Sequence, residues 1–222
     1  MARLQGIIFD IDGTLVDSND HHARAWHDAF RKAGREVEFD RIRRLIGVGS
    51  DKLFAELTGQ SLDSPDGKII SGDCKRIFAE QYLPQVRPFA KGRELVERLE
   101  VARLRLAVAS SARREDLEAL LKIAGVPQLL DNSTTSNEAD RSKPDPDIVS
   151  AALNKLDLPA EATLMIGDTP YDVEAGNRAG VGVIALRCGG WGDPDLAGAV
   201  AIYVDPADLL SHFDESPLGQ AR

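Results

Sequence analysis

Cysteine, aromatic residues and excess positive charge are all scarce in this sequence of 222 residues. The two cysteines, Cys74 and Cys188, form no CxxC pair, which argues against a disulfide framework and against a zinc cluster and is typical of a reducing compartment. The formal net charge is −9. A non-specific nucleic-acid surface is therefore disfavoured, because such a surface needs clustered lysine and arginine.

Long hydrophobic runs are also missing. The first apolar stretch, residues 4–9, is too short for a signal peptide and leads into acidic residues, and no run approaches transmembrane length. We therefore expect a cytoplasmic protein with no membrane or nucleic-acid partner, and no protein partner is evident. The remaining composition, 43% hydrophobic and 28% charged, is ordinary for a globular chain that buries a substantial core.

Beyond residue 84 the chain alternates between strand-like and helix-like patterns. Short β-rich runs predict strands at residues 6–9, 104–109, 163–167, 181–186 and 200–204, and a weaker one at 128–130. Helical patterns separate most of them, at residues 92–101, 114–124, 146–156 and 170–179. This alternation predicts an α/β fold, a Rossmann-like doubly wound parallel sheet with helices on both faces.

The stretch between the first strand and this alternating part has a different pattern. Residues 19–83 are helical and polar without a convincing strand, and His22, Trp26 and Phe30 recur every four residues along one helix face. For Trp26, burial is the expected role. We therefore expect two domains: a Rossmann-like catalytic core of residues 1–18 and 84–222, and an inserted all-α helical cap of residues 19–83.

Acidic residues follow two of the predicted strands. Asp10 and Asp12 come after the first strand, Asp168 follows the strand at 163–167, and Asp172 comes shortly after it. The carboxyl ends of parallel strands form the ligand-binding edge of an open α/β sheet, so these side chains are expected to converge. Converging carboxylates repel one another unless protons or a cation intervene, and Mg²⁺ is a hard ion that suits oxygen ligands.

Positive charge and hydrogen-bond donors are predicted at the same edge. Lys143, ahead of the helix at 146–156, would attract an anionic group such as phosphate. The Ser110 hydroxyl and the Ser111 amide can donate to phosphate oxygens. Each has an ordinary structural explanation as well, since loop lysines are mostly solvated and a serine after a strand often caps a helix. The interpretation depends on their combination.

Two dipeptides predict helix starts. Asp145-Pro146 and Thr169-Pro170 each place a capping side chain before a proline at the first helical position. In the second pair, Asp172 falls at the third helical position, where an acid can accept hydrogen bonds from free backbone amides. Asp172 is therefore either a metal ligand or a residue behind the ligands.

Four segments, taken together, resemble the motifs of the haloacid dehalogenase superfamily of phosphohydrolases. They read Phe9-Asp10-Ile11-Asp12-Gly13-Thr14-Leu15-Val16-Asp17-Ser18, Val108-Ala109-Ser110-Ser111, Lys143-Pro144-Asp145-Pro146-Asp147 and Gly167-Asp168-Thr169-Pro170-Tyr171-Asp172. The resemblance covers nearly the whole chain and is closest in type to phosphoglycolate phosphatase and β-phosphoglucomutase-like proteins. It implies a phosphatase, a phosphoric monoester hydrolase, that acts on a small phosphorylated metabolite such as a sugar phosphate or a phosphorylated acid.

The resemblance also assigns roles. It implies that Asp10 is the nucleophile that forms an aspartyl-phosphate and that Asp12 is the general acid and base. Ser110, Ser111 and Lys143 would bind the transferring phosphoryl group.

The implied cofactor is Mg²⁺. Its ligands would be Asp10, the backbone carbonyl of Asp12, and Asp168, with Asp172 nearby. Haloacid dehalogenases proper generally lack the second aspartate, so Asp12 favours phosphoryl chemistry over carbon–halogen cleavage.

The sequence of the predicted cap does not identify the substrate. Residues 21–26 are similar to the start of the β-phosphoglucomutase cap, so a sugar-phosphate mutase is the alternative function, although residues 47–50 lack an arginine found in that enzyme. A pocket is expected from His22, the loop at 47–50 with Ser50, Lys75 and Arg113.

Two further functions have less support from the sequence. A phosphonoacetaldehyde hydrolase would need a lysine at one position of the cap. Lys52 is displaced from that position, and Ser50 lies nearer to it. A non-enzymatic binding module of the same fold is disfavoured because the acids, serine and lysine of all four motifs are intact.

Overall fold

The computed structural model describes residues 3–135 and 141–220, and the chain falls into two units. One unit joins Met1–Asp17 to Arg87–Arg222, and the other is Ser18–Val86. These borders lie one and three residues from the predicted ones. That the units act as a catalytic core and a cap stays a prediction.

The larger unit is built on a parallel sheet of six strands. In chain order the strands of the described chain are β1 (Gly6–Phe9), β2 (Val16–Asp17), β3 (Arg87–Pro88), β4 (Arg105–Ala109), β5 (Ser133–Thr134), β6 (Thr163–Gly167), β7 (Gly182–Leu186) and β8 (Ala201–Tyr203). The sheet has the spatial order β5-β4-β1-β6-β7-β8, and every pair in it is parallel. β2 and β3 form a separate antiparallel pair.

Helices flank this sheet and make up most of the smaller unit. They are α1 (Asn19–Lys32), α2 (Phe39–Arg43), α3 (Ser50–Thr58), α4 (Pro65–Ile77), α5 (Gly92–Val101), α6 (Arg114–Ala124), α7 (Asp147–Leu156), α8 (Pro170–Arg178), α9 (Pro206–Ser211) and α10 (Pro217–Gln220). A π-helical turn, Phe78–Tyr82, follows α4. No described helix is long and apolar enough to cross a membrane.

The predicted α/β fold is confirmed. β1 is buried along its whole length in the middle of the sheet, as its unbroken apolar sequence predicts. Helices α7 and α8 contribute Val149 and Val173 to a core cluster that also holds Ile8, Met165 and Val183 from three adjacent strands. Burial of these apolar side chains is the main stabilising contribution to the sheet's packing.

The smaller unit has its own aromatic core. Trp26 and Phe30 lie on the buried face of α1, their ring centroids 5.8 Å apart. Phe30 stacks on Phe54 of α3 at 5.9 Å. The expected burial of Trp26 is therefore correct, and no strand lies within residues 18–86, all of which are described.

Two local predictions are wrong. Residues 128–130 are not a strand but part of a 3₁₀ turn, Pro127–Asn132, and the strand is the short Ser133–Thr134 that follows. Pro127 fixes a backbone angle that suits the start of a helical turn, which outweighs the apolar character of the segment. Asp145 does not cap α7, which begins at Asp147 without a side-chain cap, because Asp145 pairs with Arg178 at 2.8 Å.

Two helical glycines should respond oppositely to alanine. Gly72 in α4 is exposed and a Cβ there would meet nothing within 4 Å, so Gly72→Ala should stabilise the protein by about 0.5–1 kcal/mol. A Cβ on Gly176 in α8 would lie 2.3 Å from Val183 Cγ2, so Gly176→Ala should destabilise it by about 1–3 kcal/mol. Urea titration followed by circular dichroism measures both free energies of unfolding. Equal shifts for the two variants would show that the contact with Val183 is unimportant.

Candidate active site

The register of the central strands brings the predicted acids to one edge of the sheet. Phe9 of β1 pairs with Val108 on one side and with Ile166 on the other. The residues that follow, Asp10 and Asp168 among them, therefore leave the sheet side by side. The Asp10 amide continues the ladder by donating to the Ile166 carbonyl at 2.9 Å.

Lys143 is buried between two of these carboxylates. Its Nζ donates to Asp10 Oδ1 at 2.5 Å and to Asp172 Oδ1 at 2.7 Å, and the side chain is 1% exposed. This lysine is therefore not a solvated loop residue. Burial alone would lower the pKa of Lys143, but the Asp10 and Asp172 carboxylates outweigh burial and raise the pKa, so that the ammonium stays charged.

Asp172 is held by the start of α8. Thr169 is the helix cap, and its hydroxyl accepts from the Asp172 amide in a reciprocal capping box, as predicted. Asp172 Oδ2 accepts from the Thr169 amide at 3.0 Å, from the Thr169 hydroxyl at 2.7 Å and from the Asp168 amide at 3.3 Å. Because Oδ1 accepts from Lys143, both oxygens of Asp172 already have protein donors.

Asp168 is positioned from the first motif. The Thr14 hydroxyl donates to Asp168 Oδ1 at 2.8 Å and lies 3.4 Å from Asp10 Oδ2. Thr14, Asp10 and Asp168 are all buried. Sequence reasoning assigned no role to Thr14, although it stands within the first motif four residues after Asp10.

Three carboxylates meet closely enough to share a cation. One oxygen each from Asp10, Asp168 and Asp172 lie within 4.8 Å of one another, and all three residues are buried. Burial is the largest cause that raises the pKa of Asp10 well above its ordinary value; Lys143 lowers that pKa, and Asp172, Asp168 and Asp12 raise it further. A divalent cation would offset this repulsion, so the donor set fits Mg²⁺.

Asp12 is half-buried and lies outside the carboxylate triad. Its carboxylate is nevertheless near enough to raise the pKa of Asp10. That the backbone carbonyl of Asp12 is a metal ligand stays a prediction.

Ser110 and Ser111 follow β4 at the same edge. Ser110 is buried, its amide donates to the Thr134 carbonyl at 3.1 Å, and its Oγ accepts from the Ala112 amide at 3.1 Å. The Ser110 hydroxyl oxygen thus stabilises a turn, which is the ordinary role of a serine after a strand. The hydroxyl proton can in addition donate a hydrogen bond. Ser111 is half-buried.

The four residues predicted for the substrate pocket lie in different units. Arg113 is exposed at the start of α6 in the larger unit. His22, Ser50 and Lys75 belong to the smaller unit, where His22 is half-buried and stacks on Phe78 with ring centroids 3.9 Å apart. Their grouping into one pocket stays a prediction.

Sequence reasoning also missed two glycines that touch the acids. A Cβ on Gly167 would lie 2.6 Å from Asp172 Cβ, and one on Gly189 would lie 1.8 Å from Asp168 Oδ2. Gly167 stands within the fourth motif, which was the available signal. Gly189 follows a different strand, β7, and no local pattern marks it.

Several known proteins are similar to this chain in sequence or in fold. The N-acetylmuramic acid 6-phosphate phosphatase of Pseudomonas aeruginosa is 28% identical over 219 residues, which cover 96% of each chain. The crystal structure of a hydrolase from Pseudomonas syringae has a TM-score of 0.88 and 30% identity, covering 95% of this chain and 98% of that one. A β-phosphoglucomutase from Clostridium difficile has the same fold, with a TM-score of 0.82 at 16% identity and 96% of each chain covered.

A family model matches most of the chain. The match spans residues 7–186, from β1 through β7, and so includes all four motifs and every acid of the buried triad. The chain belongs to the haloacid dehalogenase-like hydrolases.

Proposed function

We propose that this protein is a magnesium-dependent phosphatase that hydrolyses a small phosphorylated metabolite, a sugar phosphate or a phosphorylated acid, through a phosphorylated Asp10. The observation that carries the proposal is the buried contact between the Lys143 ammonium and the Asp10 carboxylate beside Asp168 and Asp172. The enzyme is a phosphoric monoester hydrolase, and its relative from Pseudomonas aeruginosa is named a phosphatase. That relative's name, a phosphatase of N-acetylmuramic acid 6-phosphate, supports a phosphorylated sugar or acid as substrate.

Asp10 acts as the nucleophile. A carboxylate oxygen attacks phosphorus, the bond to the ester oxygen breaks with its electron pair on that oxygen, and an acyl phosphate forms on Asp10. Water then attacks the same phosphorus, releases inorganic phosphate and restores the carboxylate. The Lys143 ammonium at 2.5 Å favours the ionised form of Asp10 and balances charge on the phosphoryl oxygens.

Asp12 moves the protons of both steps. Protonated, it donates to the leaving alkoxide; ionised, it accepts a proton from the attacking water. Its half-buried position two residues beyond Asp10 is compatible with contact to both the protein interior and the substrate.

The Ser110 hydroxyl, the Ser111 amide and Lys143 bind the phosphoryl group. Ser110 and Lys143 are both buried, and the Lys143 ammonium is already held by hydrogen bonds to Asp10 and Asp172. Donors that need no reorganisation in the reaction are the more effective in phosphoryl transfer.

Mg²⁺ would be held by Asp10, Asp168 and the backbone carbonyl of Asp12. When bound, it supplies positive charge that stabilises the phosphoryl oxygens. Asp172, whose two oxygens are held by Lys143 and the start of α8, keeps Lys143 in place beside the metal site.

Replacing Asp10 should abolish turnover. Asp10→Asn removes the nucleophile with little change of size, so hydrolysis of an aryl phosphate with Mg²⁺ should fall on the order of 10⁴-fold or more. Phosphate release measures this loss. Asp131→Asn is the matched control, because Asp131 is exposed in a 3₁₀ turn and should keep wild-type activity.

The products of the wild-type reaction separate the two enzyme classes. With β-glucose 1-phosphate and a trace of the bisphosphate, a phosphatase gives free phosphate, whereas a mutase gives the 6-phosphate isomer. The absence of a suitable arginine from the loop at 47–50 favours the phosphatase. For the preceding test, full activity of Asp10→Asn would refute the assignment of Asp10 as the nucleophile.

Replacing Asp12 should split the reaction into its two steps. In Asp12→Ala an aryl phosphate can still phosphorylate Asp10, because a phenolate leaves readily without a proton, but the water step loses its base. Rapid mixing should show a burst of about one phenolate per enzyme followed by turnover roughly 10²–10⁴-fold slower than wild type. A uniformly slow reaction without a burst would mean that Asp12 does not act in the second step.

Mg²⁺ should stabilise the folded protein. A ligand that binds only the native state raises the free energy of unfolding, by about 2.7 kcal/mol at one hundred times its Kd. Thermal unfolding should therefore shift upward with Mg²⁺ and return with a chelator, and activity should follow the same cycle. Asp168→Asn should remove most of the shift. An equal shift in that variant would place the metal elsewhere.

A further inference from the structure

The segment after β7 packs against the candidate metal site. It forms a 3₁₀ turn, Arg187–Gly189, and then Gly190 turns the chain with a positive φ of 91°. The Cys188 thiol donates to the Gly13 carbonyl at 3.2 Å, which links this segment to the first motif. Gly189 itself is buried.

Gly189 is in direct contact with the Asp168 side chain. A Cβ at Gly189 would lie 1.8 Å from Asp168 Oδ2, 2.5 Å from its Cγ and 2.6 Å from its Cβ. The backbone does not explain the glycine, because Gly189 is outside the group of residues with positive φ. The close approach of the Asp168 side chain does explain it.

Asp168 is thus confined from two directions. Thr14 donates to Oδ1 at 2.8 Å, and the Gly189 backbone is packed against the side of Oδ2. We propose that Gly189 is a positioning residue that holds the Asp168 carboxylate in its metal-binding orientation. This inference rests on the proposed function, since it assumes a metal at the carboxylate triad.

Arg187 and Asp193 form an ion pair across the segment that contains Gly189. The guanidinium donates from Nε to Asp193 Oδ1 at 2.5 Å and from a terminal nitrogen to Oδ2 at 2.9 Å. An exposed pair of this kind adds little to stability, but two parallel hydrogen bonds define geometry. The pair links residues 187 and 193, which lie on either side of Gly189 in the sequence, and we expect it to restrain the turn between them.

Gly189→Ala tests the role of Gly189, with Gly192→Ala as its matched control. A Cβ at Gly192 would only touch Asp195 and Pro194 at 3.6 Å, and Gly192 is exposed in the same segment. Calorimetry should show that Gly189→Ala weakens Mg²⁺ binding about tenfold or more, the usual effect of losing support behind a metal ligand. Gly192→Ala should bind Mg²⁺ as the wild type does. In the assay, excess Mg²⁺ should restore most of kcat to Gly189→Ala.

Asp193→Asn provides an independent test if Gly189→Ala does not fold. It opens the ion pair at an exposed position, and the Kd for Mg²⁺ should rise severalfold while the circular dichroism spectrum stays unchanged. If Gly189→Ala does not fold, an unchanged Kd in Asp193→Asn would refute the proposal that this segment positions Asp168. A folded Gly189→Ala with wild-type Mg²⁺ affinity would refute the role of Gly189 alone. Absence of Mg²⁺ binding by the wild-type protein would instead refute the proposed function, and this inference with it.

Discussion

The candidate site depends on the Lys143 ammonium, which lies buried between the Asp10 and Asp172 carboxylates. A buried charge without a partner costs several kcal/mol, so lysine and acids are acceptable inside the protein only together. Asp172 is in turn held by Thr169 at the start of α8. The start of α8 thus positions Asp172, Asp172 positions Lys143, and Lys143 contacts Asp10 Oδ1. Replacement of any one of these residues would leave a hydrogen-bonding partner unsatisfied inside the protein.

The parallel sheet makes this concentration of charge possible. β1, β4 and β6 are adjacent and in register, so the segments that follow them in the chain leave at the same edge. Close approach then requires small residues beside the acids. Gly167 leaves room for Asp172, and Gly189 leaves room for Asp168. The acids and the glycines thus form one packing arrangement, although they come from distant parts of the chain.

Sequence reasoning was most successful where the signal was local. The buried strand β1, helix α6 with Gly125 as its C-cap, and the Thr169 cap follow from runs, periodicity, and glycine and proline placement. Apart from the 3₁₀ turn that begins at Pro127, it failed where tertiary contacts decided the outcome. Asp145 has the chemistry of a cap yet pairs with Arg178, a residue of α8, and no local pattern distinguishes these two fates. Gly189 carried no signal, since its contact with Asp168 joins segments that follow two different strands, β7 and β6.

The charge balance at the triad connects stability with function. Three buried carboxylates face one buried ammonium within the described part of the site, and burial together with the neighbouring acids raises the pKa of Asp10. Crowding of the acids thus favours either a bound proton or a bound cation at the triad. A cation bound there would also lie beside Asp10, the proposed nucleophile. The negative charge that opposes close packing of the acids is the same charge that would recruit the metal, in a chain whose overall charge repels the anionic substrate.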